Sequence, residues 1–487
     1  MMKTLTNFLN QINKEIKVSA DRNFILGYEE IISYKILEDK VQTAANYFRT
    51  LNISRQQTAP ILCSNSHDYI ISILALWILG AIPVLLNTRL SAFEIEEQLS
   101  FLGCDSLIID TASKERVSKL KAEKILIPYQ SPTVKIELEN FHYDENATAL
   151  IMFTSGSSGK AKAVNLTFSN LVQSAKIGNK YLLQTSDDRW LASLPFYHIG
   201  GFSIIFRALM FGSQIILPSE LKLPAIVQSI RKFKPTLISL VSTQMKELLE
   251  YDIKPPAELR HVLLGGGFID SNLMHEALNN GWKVSKVYGS TETSSFVTVL
   301  SPDEFIKKPE SVGRPIPPNQ ISICDESGNE LPPNSVGEIV VSGHSIMKGY
   351  WKDDETTAQR IKNNSYLTGD IGYKDEDGYL FLVNRRTDLI VSGGENVNPT
   401  EVENAIMCFP KVKDVCVFGI SDGTWGQRVA AAIVPNSDEK FSLTELKMFL
   451  GQKIAQFKIP KEIYFVDELP KTELGKIKRE EVRKLFS

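Results

Sequence analysis

The chain has 487 residues, of which 43% are hydrophobic and 23% are charged, the composition of an ordinary soluble globular protein. Its 54 basic and 57 acidic residues give a formal net charge of -3. That balance argues against a dedicated nucleic-acid binder, which usually carries a basic excess. The five cysteines form no CxxC pair, so they predict neither a disulfide framework nor a zinc site and fit the reducing conditions of a cytoplasmic protein. The length predicts about two to four domains.

One stretch near the N-terminus needs a choice between a membrane span and a buried element. Tyr69–Leu86 carries no charge over 18 residues, the lower limit for a spanning helix. Gly80 and Pro83 interrupt the stretch, so we predict a buried helix that ends at Gly80 and a buried strand after it. No secretory signal precedes it, and we expect no membrane span.

Apolar runs of strand length alternate with amphipathic stretches through the first 300 residues. The predicted strands are Gln57–Cys63, Ala81–Leu86, Ser106–Ile109, Lys124–Ile127, Gln214–Leu217 and Leu237–Leu240. The predicted helices are Leu37–Leu51, Ala92–Leu102 and Leu223–Phe233. This alternation is typical of α/β layers with a mostly parallel sheet. After about Ser301, turn residues become frequent and predict short strands, in a small β unit.

The last hundred residues predict a separate module. Helices are expected at Glu401–Phe409 and Leu443–Ile454, and strands at Val415–Ile420 and Ala430–Val434. A polar, glycine-rich junction precedes them, so we predict domains at 1–386 and 387–487. The predicted fold class is therefore α/β, with a large N-terminal domain of layered α/β sheets plus a small β unit, and a small mobile C-terminal α+β domain.

A loop rich in small residues follows a predicted strand, Ala149–Phe153. It reads TSGSSGK from Thr154 to Lys160, and Lys162 comes two residues later. Small residues let backbone N–H groups converge, hydroxyls add donors and lysine adds a point charge, so the loop can cradle a phosphate chain. The GxxxxGK[ST] spacing of a Walker A loop is absent. An ordinary flexible Gly/Ser loop is the alternative at this point.

Three further segments place small or acidic residues near expected strand ends. VYGSTET (Val287–Thr293) puts Glu292 beside hydroxyls, as a magnesium–nucleotide complex needs, although a helix N-cap fits the same letters. LLGGG (Leu263–Gly267) offers bare backbone for a planar base or substrate, or is a plain turn. YLTGD (Tyr366–Asp370) offers an acid for ribose hydroxyls, or is a surface turn.

The order of these motifs along the chain is more specific than any of them singly. Between Ala147 and Arg479 follow TSGSSGKAKAV, LPFYHIGG, GGG, YGSTE, TGD, SGGEN and PKTELGKIKR. This series resembles the adenylate-forming superfamily of acyl-CoA synthetases, luciferases and peptide-synthetase adenylation domains. The chain departs from the family at Ala161-Lys162-Ala163, where Pro-Lys-Gly is usual, a change that affects loop stiffness more than the number of donors.

The resemblance implies a carboxylic acid coupled to AMP with release of pyrophosphate, then transfer to a thiol, with ATP, Mg2+ and CoA required. The implied ATP site comprises Thr154, Ser155, Gly156, Ser157, Ser158, Gly159, Lys162, Gly265, Gly266, Tyr288, Gly289, Ser290, Thr291, Asp370, Arg385 and Lys476. The implied catalytic residues are Lys476, Glu292, Thr291 and Lys162, with Glu292 as the magnesium ligand.

Lys476 has a clear physical role in this scheme. The carboxylate must attack an anionic phosphate, and a lysine between the reacting oxygens relieves their repulsion in the transition state. The C-terminal domain is implied to act as a mobile lid that turns on Arg386, Thr387 and Asp388. The resemblance further implies a pantetheine tunnel bordered by Gly393 and Gly394.

The acid itself is indicated by a closer resemblance. The implied acyl pocket comprises Phe196, His198, Thr243, Gly265, Gly266 and Gly267. LPFYHIGGFSIIFRAL, HVLLGGGFI, YGSTETSSFVTVLSP and DGTWGQ resemble the 2-succinylbenzoate–CoA ligases of menaquinone synthesis. The implied function is therefore ATP-dependent formation of 2-succinylbenzoyl-CoA.

Several alternatives are left open by the sequence. Another aryl- or fatty-acyl-CoA ligase would use the same motifs. A peptide-synthetase adenylation module would too, but no carrier domain follows in this sequence. A non-catalytic nucleotide- or acyl-binding protein is the alternative of another class. The expected partners are a small carboxylic acid, ATP and CoA, without nucleic acid, and a homodimer is left open.

Overall fold

The computed structural model describes residues 20–28, 30–127, 144–154, 161–267, 269–384, 389–436, 441–470 and 477–486. The chain forms two compact units. The first comprises Met1–Thr88, Cys104–Phe153 and Ala163–Val383, and the second comprises Arg89–Gly103, Thr154–Lys162 and Asn384–Ser487. The domain boundary predicted between residues 386 and 387 lies outside the described residues and stays a prediction.

The secondary structure alternates as the sequence predicts. The helices are α1 (Tyr34–Thr50), α2 (His67–Ile78), α3 (Ala92–Leu102), α4 (Phe168–Leu182), α5 (Ile199–Phe211), α6 (Leu223–Phe233), α7 (Ser242–Glu250), α8 (Ser271–Asn279), α9 (Pro302–Lys307), α10 (Asp354–Arg360), α11 (Pro399–Met407), α12 (Leu443–Leu450) and α13 (Arg479–Phe486).

The strands fall into four sheets. They are β1 (Asn23–Gly27), β2 (Ile31–Ser33), β3 (Thr58–Leu62), β4 (Ile82–Leu85), β5 (Ser106–Ile109), β6 (Glu123–Leu126), β7 (Thr148–Thr154), β8 (Lys162–Thr167), β9 (Arg189–Leu191), β10 (Gln214–Leu217), β11 (Leu237–Leu240), β12 (His261–Leu264), β13 (Val284–Ser290), β14 (Ser295–Leu300), β15 (Arg314–Pro315), β16 (Gln320–Cys324), β17 (Gly337–Ser342), β18 (Gly349–Tyr350), β19 (Ile361–Lys362), β20 (Ser365–Lys374), β21 (Leu380–Asn384), β22 (Ile390–Ser392), β23 (Glu395–Val397), β24 (Val412–Asp422), β25 (Gly426–Pro435) and β26 (Glu462–Phe465).

Two α/β sheets make up most of the first unit. One has the order β15-β14-β13-β12-β11-β9-β10-β1-β2 and the other β18-β8-β7-β4-β3-β5-β6. The strands from β9 to β13 run parallel, and all four residues of β11 are buried. Continuous apolar runs are typical of strands covered on both faces, so the mostly parallel α/β layers predicted from the sequence are confirmed.

The uncharged stretch near the N-terminus is a buried helix followed by a strand. Residues from Tyr69 to Ile78 on α2 are all buried, and β4 begins at Ile82 after the turn at Gly80. Among the described residues, no helix combines the length and the apolar character needed to cross a bilayer. The main core of the unit packs α1, α2, α4 and α5 against strands of both α/β sheets.

The small β unit predicted after Ser301 is a third sheet. Its order is β16-β17-β20-β19, and β21 pairs with β20. Ile321, Ile339 and Leu380 form its apolar side. This sheet carries the YLTGD motif on β20.

The second unit contains the fourth sheet. Its order is β23-β22-β25-β24, with β26 beside β25, and α11 and α12 pack on its apolar face. The hairpin strands are longer than predicted, since β24 covers Val412–Asp422 and β25 covers Gly426–Pro435. Only the buried middle of each strand carries the apolar signal that the prediction used.

Candidate active site

Motif residues of the first unit gather at one edge of the nine-stranded sheet. The neighbouring strands β9, β11, β12 and β13 are parallel, so the segments that follow their carboxyl ends lie side by side. In α/β folds this edge is where ligands bind. The predicted site residues that follow these four strands are Phe196, His198, Thr243, Gly265, Gly266, Gly267 and Thr291. Tyr288, Gly289 and Ser290 occupy the end of β13 itself.

Glu292 lies in the turn of a β-hairpin. β13 and β14 are antiparallel, and Ser290 pairs with Ser295 across the turn. Inside the turn, the Thr293 hydroxyl donates to the Ser295 carbonyl at 2.7 Å and accepts from the Ser290 N–H at 2.9 Å. The alternative of a helix N-cap is therefore wrong, because no helix begins here. The turn also holds Ser294 at a φ of 59° and Ser295 at 134°, a left-handed backbone that side chains avoid.

The Glu292 carboxylate is buried and held by a residue that the sequence analysis missed. Glu292 is 4% exposed, and the hydroxyl of Tyr350 donates a hydrogen bond to its Oε1 at 3.1 Å. Tyr350 itself is 3% exposed. The two residues are 58 positions apart, so no local pattern could pair them.

The YGSTE and TGD motifs meet through one hydrogen bond. The hydroxyl of Tyr288 donates to Oδ2 of Asp370 at 2.7 Å. Asp370 lies within β20. Two residues before it on the same strand, the Thr368 hydroxyl donates a hydrogen bond to the Ile339 carbonyl at 2.7 Å. The alternative of a surface turn is wrong for this segment. A half-buried carboxylate beside a tyrosine ring is suited to ribose hydroxyls next to a planar base.

Two of the predicted glycines are required by close contacts. A Cβ at Gly289 would lie 2.2 Å from the carbonyl oxygen of Ser295, across the hairpin. A Cβ at Gly265 would lie 2.8 Å from a Val287 methyl group. Both contacts are closer than Cβ atoms allow, so the bare backbone at these strand ends is a steric necessity.

The predicted acyl residues differ in burial. Phe196 is fully buried, and its N–H donates to the side chain of Asn65 at 2.9 Å. His198 is half-buried at the start of α5, with its ring 4.7 Å from that of Tyr197. Thr243 is half-buried in the first turn of α7. Asn65 was missed by the sequence analysis and orients the segment that carries the histidine.

Arg207, on α5, is a third residue that the sequence analysis missed. It is 2% exposed, with Nη1 donating to the Ser203 hydroxyl at 3.3 Å, while Nε and Nη2 have no hydrogen-bond partner among the described residues. Its guanidinium lies 4.7 Å from the ring centroid of Phe296, which pairs with Gly289. Burial lowers the pKa of Arg207 to about 9, so the group is still a cation at neutral pH. A lone arginine inside the apolar run GFSIIFRALMF is the signal that could have found it.

The magnesium ligand set can be tested against the chemistry of these residues. Within the described part of the chain, no cluster of three or more His, Cys, Asp or Glu side chains could hold a metal by itself. Magnesium in nucleotide sites usually takes one or two carboxylates together with phosphate oxygens and water. One buried carboxylate next to the hydroxyls of Ser290 and Thr291 fits that pattern.

The second unit contains the ends of the predicted phosphate loop. Thr154 ends β7 and Lys162 begins β8, and the Thr154 hydroxyl donates to the Lys162 carbonyl at 3.5 Å. Ser155, Gly156, Ser157, Ser158 and Gly159 lie outside the described residues. So do Arg385, the hinge residues Arg386, Thr387 and Asp388, and Lys476.

The predicted pantetheine glycines form a tight turn in the second unit. Gly393 and Gly394 join β22 to β23 with φ values of 58° and 81°. A Cβ at Gly393 would lie 2.6 Å from the Trp425 ring, and the Gly393 N–H donates to the Trp425 carbonyl at 3.0 Å. The SGGEN turn and the DGTWGQ turn are therefore packed together.

The chain belongs to the AMP-binding enzyme family. The model of the AMP-binding enzyme matches residues 13–351, and that of the AMP-binding enzyme C-terminal domain matches residues 401–476. A large N-terminal and a small C-terminal domain are thus the family's arrangement as well as this chain's.

Two relatives within this family are similar to the chain over nearly all of its residues. A curated 2-succinylbenzoate–CoA ligase from Bacillus cytotoxicus is 36% identical over 491 residues, with 100% of this chain and 99% of that protein covered. The o-succinylbenzoate CoA synthetase of Bacillus subtilis, as a double mutant bound to the product analogue OSB-NCoA, matches with a TM-score of 0.91 at 31% identity, covering 99% of this chain and 98% of that one. In its complex with ATP and magnesium, it matches with a TM-score of 0.75 at 32% identity, covering 97% of this chain and 98% of that one.

Proposed function

We propose that the protein is an AMP-forming acid–CoA ligase that converts 2-succinylbenzoate to 2-succinylbenzoyl-CoA with ATP, Mg2+ and CoA. The observation that carries the proposal is the meeting of the YGSTE and TGD motifs at the carboxyl edge of the sheet, through the bond from Tyr288 to Asp370. The full-length similarity to 2-succinylbenzoate–CoA ligases supports the choice of acid.

The chemistry follows in two steps. In the first, a carboxylate oxygen of the acid bonds to the α-phosphorus of ATP as the bond to the β-phosphate breaks, and pyrophosphate leaves. In the second, the thiol of CoA loses its proton to solvent and its sulfur bonds to the acyl carbon, as the bond from that carbon to the phosphate oxygen breaks and AMP leaves. Both steps bring anions or electron-rich groups together, so the site has to supply fixed positive charge and exclude competing water.

The candidate site residues each have a role in this proposal. Asp370 accepts hydrogen bonds from the ribose hydroxyls, and the Tyr288 hydroxyl fixes the orientation of that carboxylate. Gly265 and Gly289 leave flat backbone against which the adenine and the acyl group lie. Glu292 would hold magnesium, which would neutralise phosphate charge, and the hydroxyl of Thr291 would bond a phosphate. By the motifs that they occupy, Lys476, Lys162 and the loop Thr154–Lys160 are assigned to the phosphates.

Arg207 supports the choice of a dicarboxylic acid. A buried cation with unused donors costs free energy unless an anion repays it. 2-Succinylbenzoate carries two carboxylates, and only one of them is adenylated. We assign the guanidinium of Arg207 to the second carboxylate, and the aromatic ring of the acid to the pocket of Phe196 and His198.

The proposal extends to the motion of the C-terminal domain, the cellular location and the assembly of the protein. The C-terminal domain is proposed to turn on Arg386, Thr387 and Asp388 between the two steps, which family membership supports. A cytoplasmic location is proposed because the proposed reaction would draw its ATP and CoA from the cytoplasm. Static light scattering on the purified chain would decide between a monomer and a homodimer.

One assay tests the reaction and the acid together. The purified protein is incubated with ATP, magnesium, CoA and a panel of acids, and AMP and acyl-CoA are separated by chromatography. AMP and thioester with 2-succinylbenzoate, far above benzoate and octanoate, are expected. Turnover of another acid alone would keep the ligase and remove this substrate. ADP as product, or nucleotide binding without turnover, would contradict the proposed reaction.

A further inference from the structure

A segment outside the proposed ligand contacts is bonded to the turn that carries Glu292. This crossing segment, residues 345–351, makes three hydrogen bonds to the turn. The Ser294 hydroxyl donates to the Ser345 carbonyl at 2.6 Å, and the Met347 N–H donates to the Glu292 carbonyl at 2.8 Å. The third is the bond from the Tyr350 hydroxyl to the Glu292 carboxylate, at 3.1 Å. Backbone and side chain of the same glutamate are thus fixed by one segment.

The other side of the crossing segment is bonded to β8, the strand that follows the predicted phosphate loop. The Trp351 N–H donates to the Ala163 carbonyl at 2.7 Å, and the Lys348 N–H donates to the Asn165 carbonyl at 3.0 Å. β18, within the segment, pairs with β8 in an antiparallel register. The segment therefore connects the glutamate turn to the strand on which the phosphate loop ends.

The position of Glu292 depends on these contacts. Two consecutive residues of its turn, Ser294 and Ser295, adopt positive φ values, a conformation that persists only when the surroundings hold it in place. A glutamate side chain has three rotatable bonds, and its carboxylate must keep one orientation to act as a ligand. Because Tyr350 and Glu292 are both buried, the hydrogen bond between them is shielded from competing water.

We propose that Tyr350 is a positioning residue for the divalent metal of the nucleotide, acting through Glu292. Its hydroxyl holds one carboxylate oxygen, so the carboxylate faces the phosphates in a single orientation when MgATP arrives. The idea rests on the proposed function only in that the protein binds ATP with magnesium, and it does not depend on which acid is activated.

The test compares ATP binding with and without magnesium in the full-length chain. Tyr350→Phe removes the hydroxyl and keeps the ring, so the fold should be preserved, and a thermal unfolding scan checks this. Calorimetric titration gives the Kd of ATP in excess magnesium and in EDTA. We expect magnesium to tighten ATP binding by the wild type. In Tyr350→Phe that gain should be about tenfold smaller, because one buried hydrogen bond to the metal ligand is lost. The Kd in EDTA should not change.

Two further variants separate positioning from a structural effect. Tyr181→Phe is the matched control. It removes another side-chain hydrogen bond, between the hydroxyls of Tyr181 and Ser285 at 2.6 Å, and should leave the magnesium gain intact. Tyr350→Phe in a Glu292→Gln background should cause no further loss of the magnesium gain, because the two residues act as one unit.

Three results would overturn the inference. The first is that magnesium tightens ATP binding by Tyr350→Phe as much as it does for the wild type. The second is that Tyr350→Phe weakens ATP binding equally with and without magnesium. The third is that the losses of the two single variants add up in the double variant. Failure of the proposed function would look different. In that case the wild-type protein would bind MgATP but turn over no acid. The binding test of Tyr350 would remain valid, because it measures ATP binding and not turnover.

Discussion

The guanidinium of Arg207 is a buried cation, and two of its nitrogens have no hydrogen-bond partner among the described residues. It is buried against Phe296 and Trp190, with ring-centroid distances of 4.7 and 5.8 Å, and with no carboxylate bonded to it among the described residues. Replacing a buried charge with an apolar side chain of similar volume is often stabilising. Arg207 therefore fits a residue that is kept for binding.

We expect Arg207→Met to separate activity from stability. kcat/KM for 2-succinylbenzoate should fall about 100-fold, because the second carboxylate loses its buried partner. The free energy of unfolding should rise by about 1–2 kcal/mol. Acid-dependent AMP release and urea unfolding measure the two effects. Arg231→Met, at an exposed position on α6, should change neither. Unchanged kinetics with 2-succinylbenzoate would remove Arg207 from the substrate site.

Lys476 gives the second prediction at the scale of one residue. Lys476→Ala should abolish acyl-adenylate formation, measured as acid-dependent exchange of pyrophosphate into ATP, while ATP still binds. The reason is that the attacking carboxylate and the α-phosphate repel each other without a cation between them. Lys478→Ala is the control, because that side chain bonds Glu481 at 2.9 Å in the second unit. Normal exchange in Lys476→Ala would mean that another group does this work.

Among the elements, the β13–β14 hairpin is the one on which the proposed site depends most. Gly289→Ala would push a Cβ against the Ser295 carbonyl, at 2.2 Å, and force the strands apart at the turn that holds Glu292. We expect the free energy of unfolding to fall by about 1–3 kcal/mol, as for other overpacked sites, and the Kd of MgATP to rise. Urea unfolding and calorimetry measure these. Gly451→Ala, in a right-handed backbone after α12, should have little effect on either.

The same hairpin shows why sequence patterns located some elements and missed others. Strands such as Leu237–Leu240 were predicted correctly because apolar runs are a local signal of burial on both faces. The letters STET fit both a helix N-cap and a hairpin turn. What decides between them is the pairing of β13 with Ser295–Leu300, which no local pattern encodes.

In the candidate site too, residues with a local sequence signal could be predicted, and residues that act through long-range contacts could not. The motifs with small and acidic residues could be found because their chemistry is local, and parallel strands then bring them to one edge. Tyr350 and Asn65 could not be found, since each acts on a residue far away in the sequence, Glu292 and Phe196. Arg207 was detectable in principle, as a charge within an apolar helix.

At the scale of the whole molecule, the second unit contains a buried cluster of charged side chains, and we expect this cluster to control the stability of that unit. Lys458 is 7% exposed, and its ammonium lies 2.5 Å from carboxylate oxygens of both Glu94 and Glu401. These residues join α3 to α11 within the unit. Burial alone would lower the pKa of Lys458, but the carboxylates of Glu401 and Glu94 raise it. Burial raises the pKa of Glu401, although Lys458 opposes this.

The signs of these shifts fix the pH dependence. Because the folded-state pKa of Lys458 is raised, its contribution to stability is fully present below its unfolded pKa and is lost only as the pH rises through the folded value, in the alkaline range. Glu401 keeps its proton to a higher pH in the folded state than in the unfolded one. Raising the pH above the ordinary glutamate range therefore lowers stability through Glu401, and Lys458 limits that loss.

Lys458→Met should destabilise the second unit, and more at pH 8 than at pH 5. At pH 8 the variant leaves two ionised carboxylates buried without their cation, which costs about 3–5 kcal/mol, whereas at pH 5 protonation relieves part of the cost. Urea unfolding at both pH values measures the difference, and hydrogen exchange should place it in residues 389–436 and 441–470. Lys484→Met, on the exposed side of α13, is the control. Adding Glu94→Gln and Glu401→Gln should restore stability and remove the pH dependence. A loss of equal size at both pH values would mean that the lysine stem, rather than the charge, supports the unit.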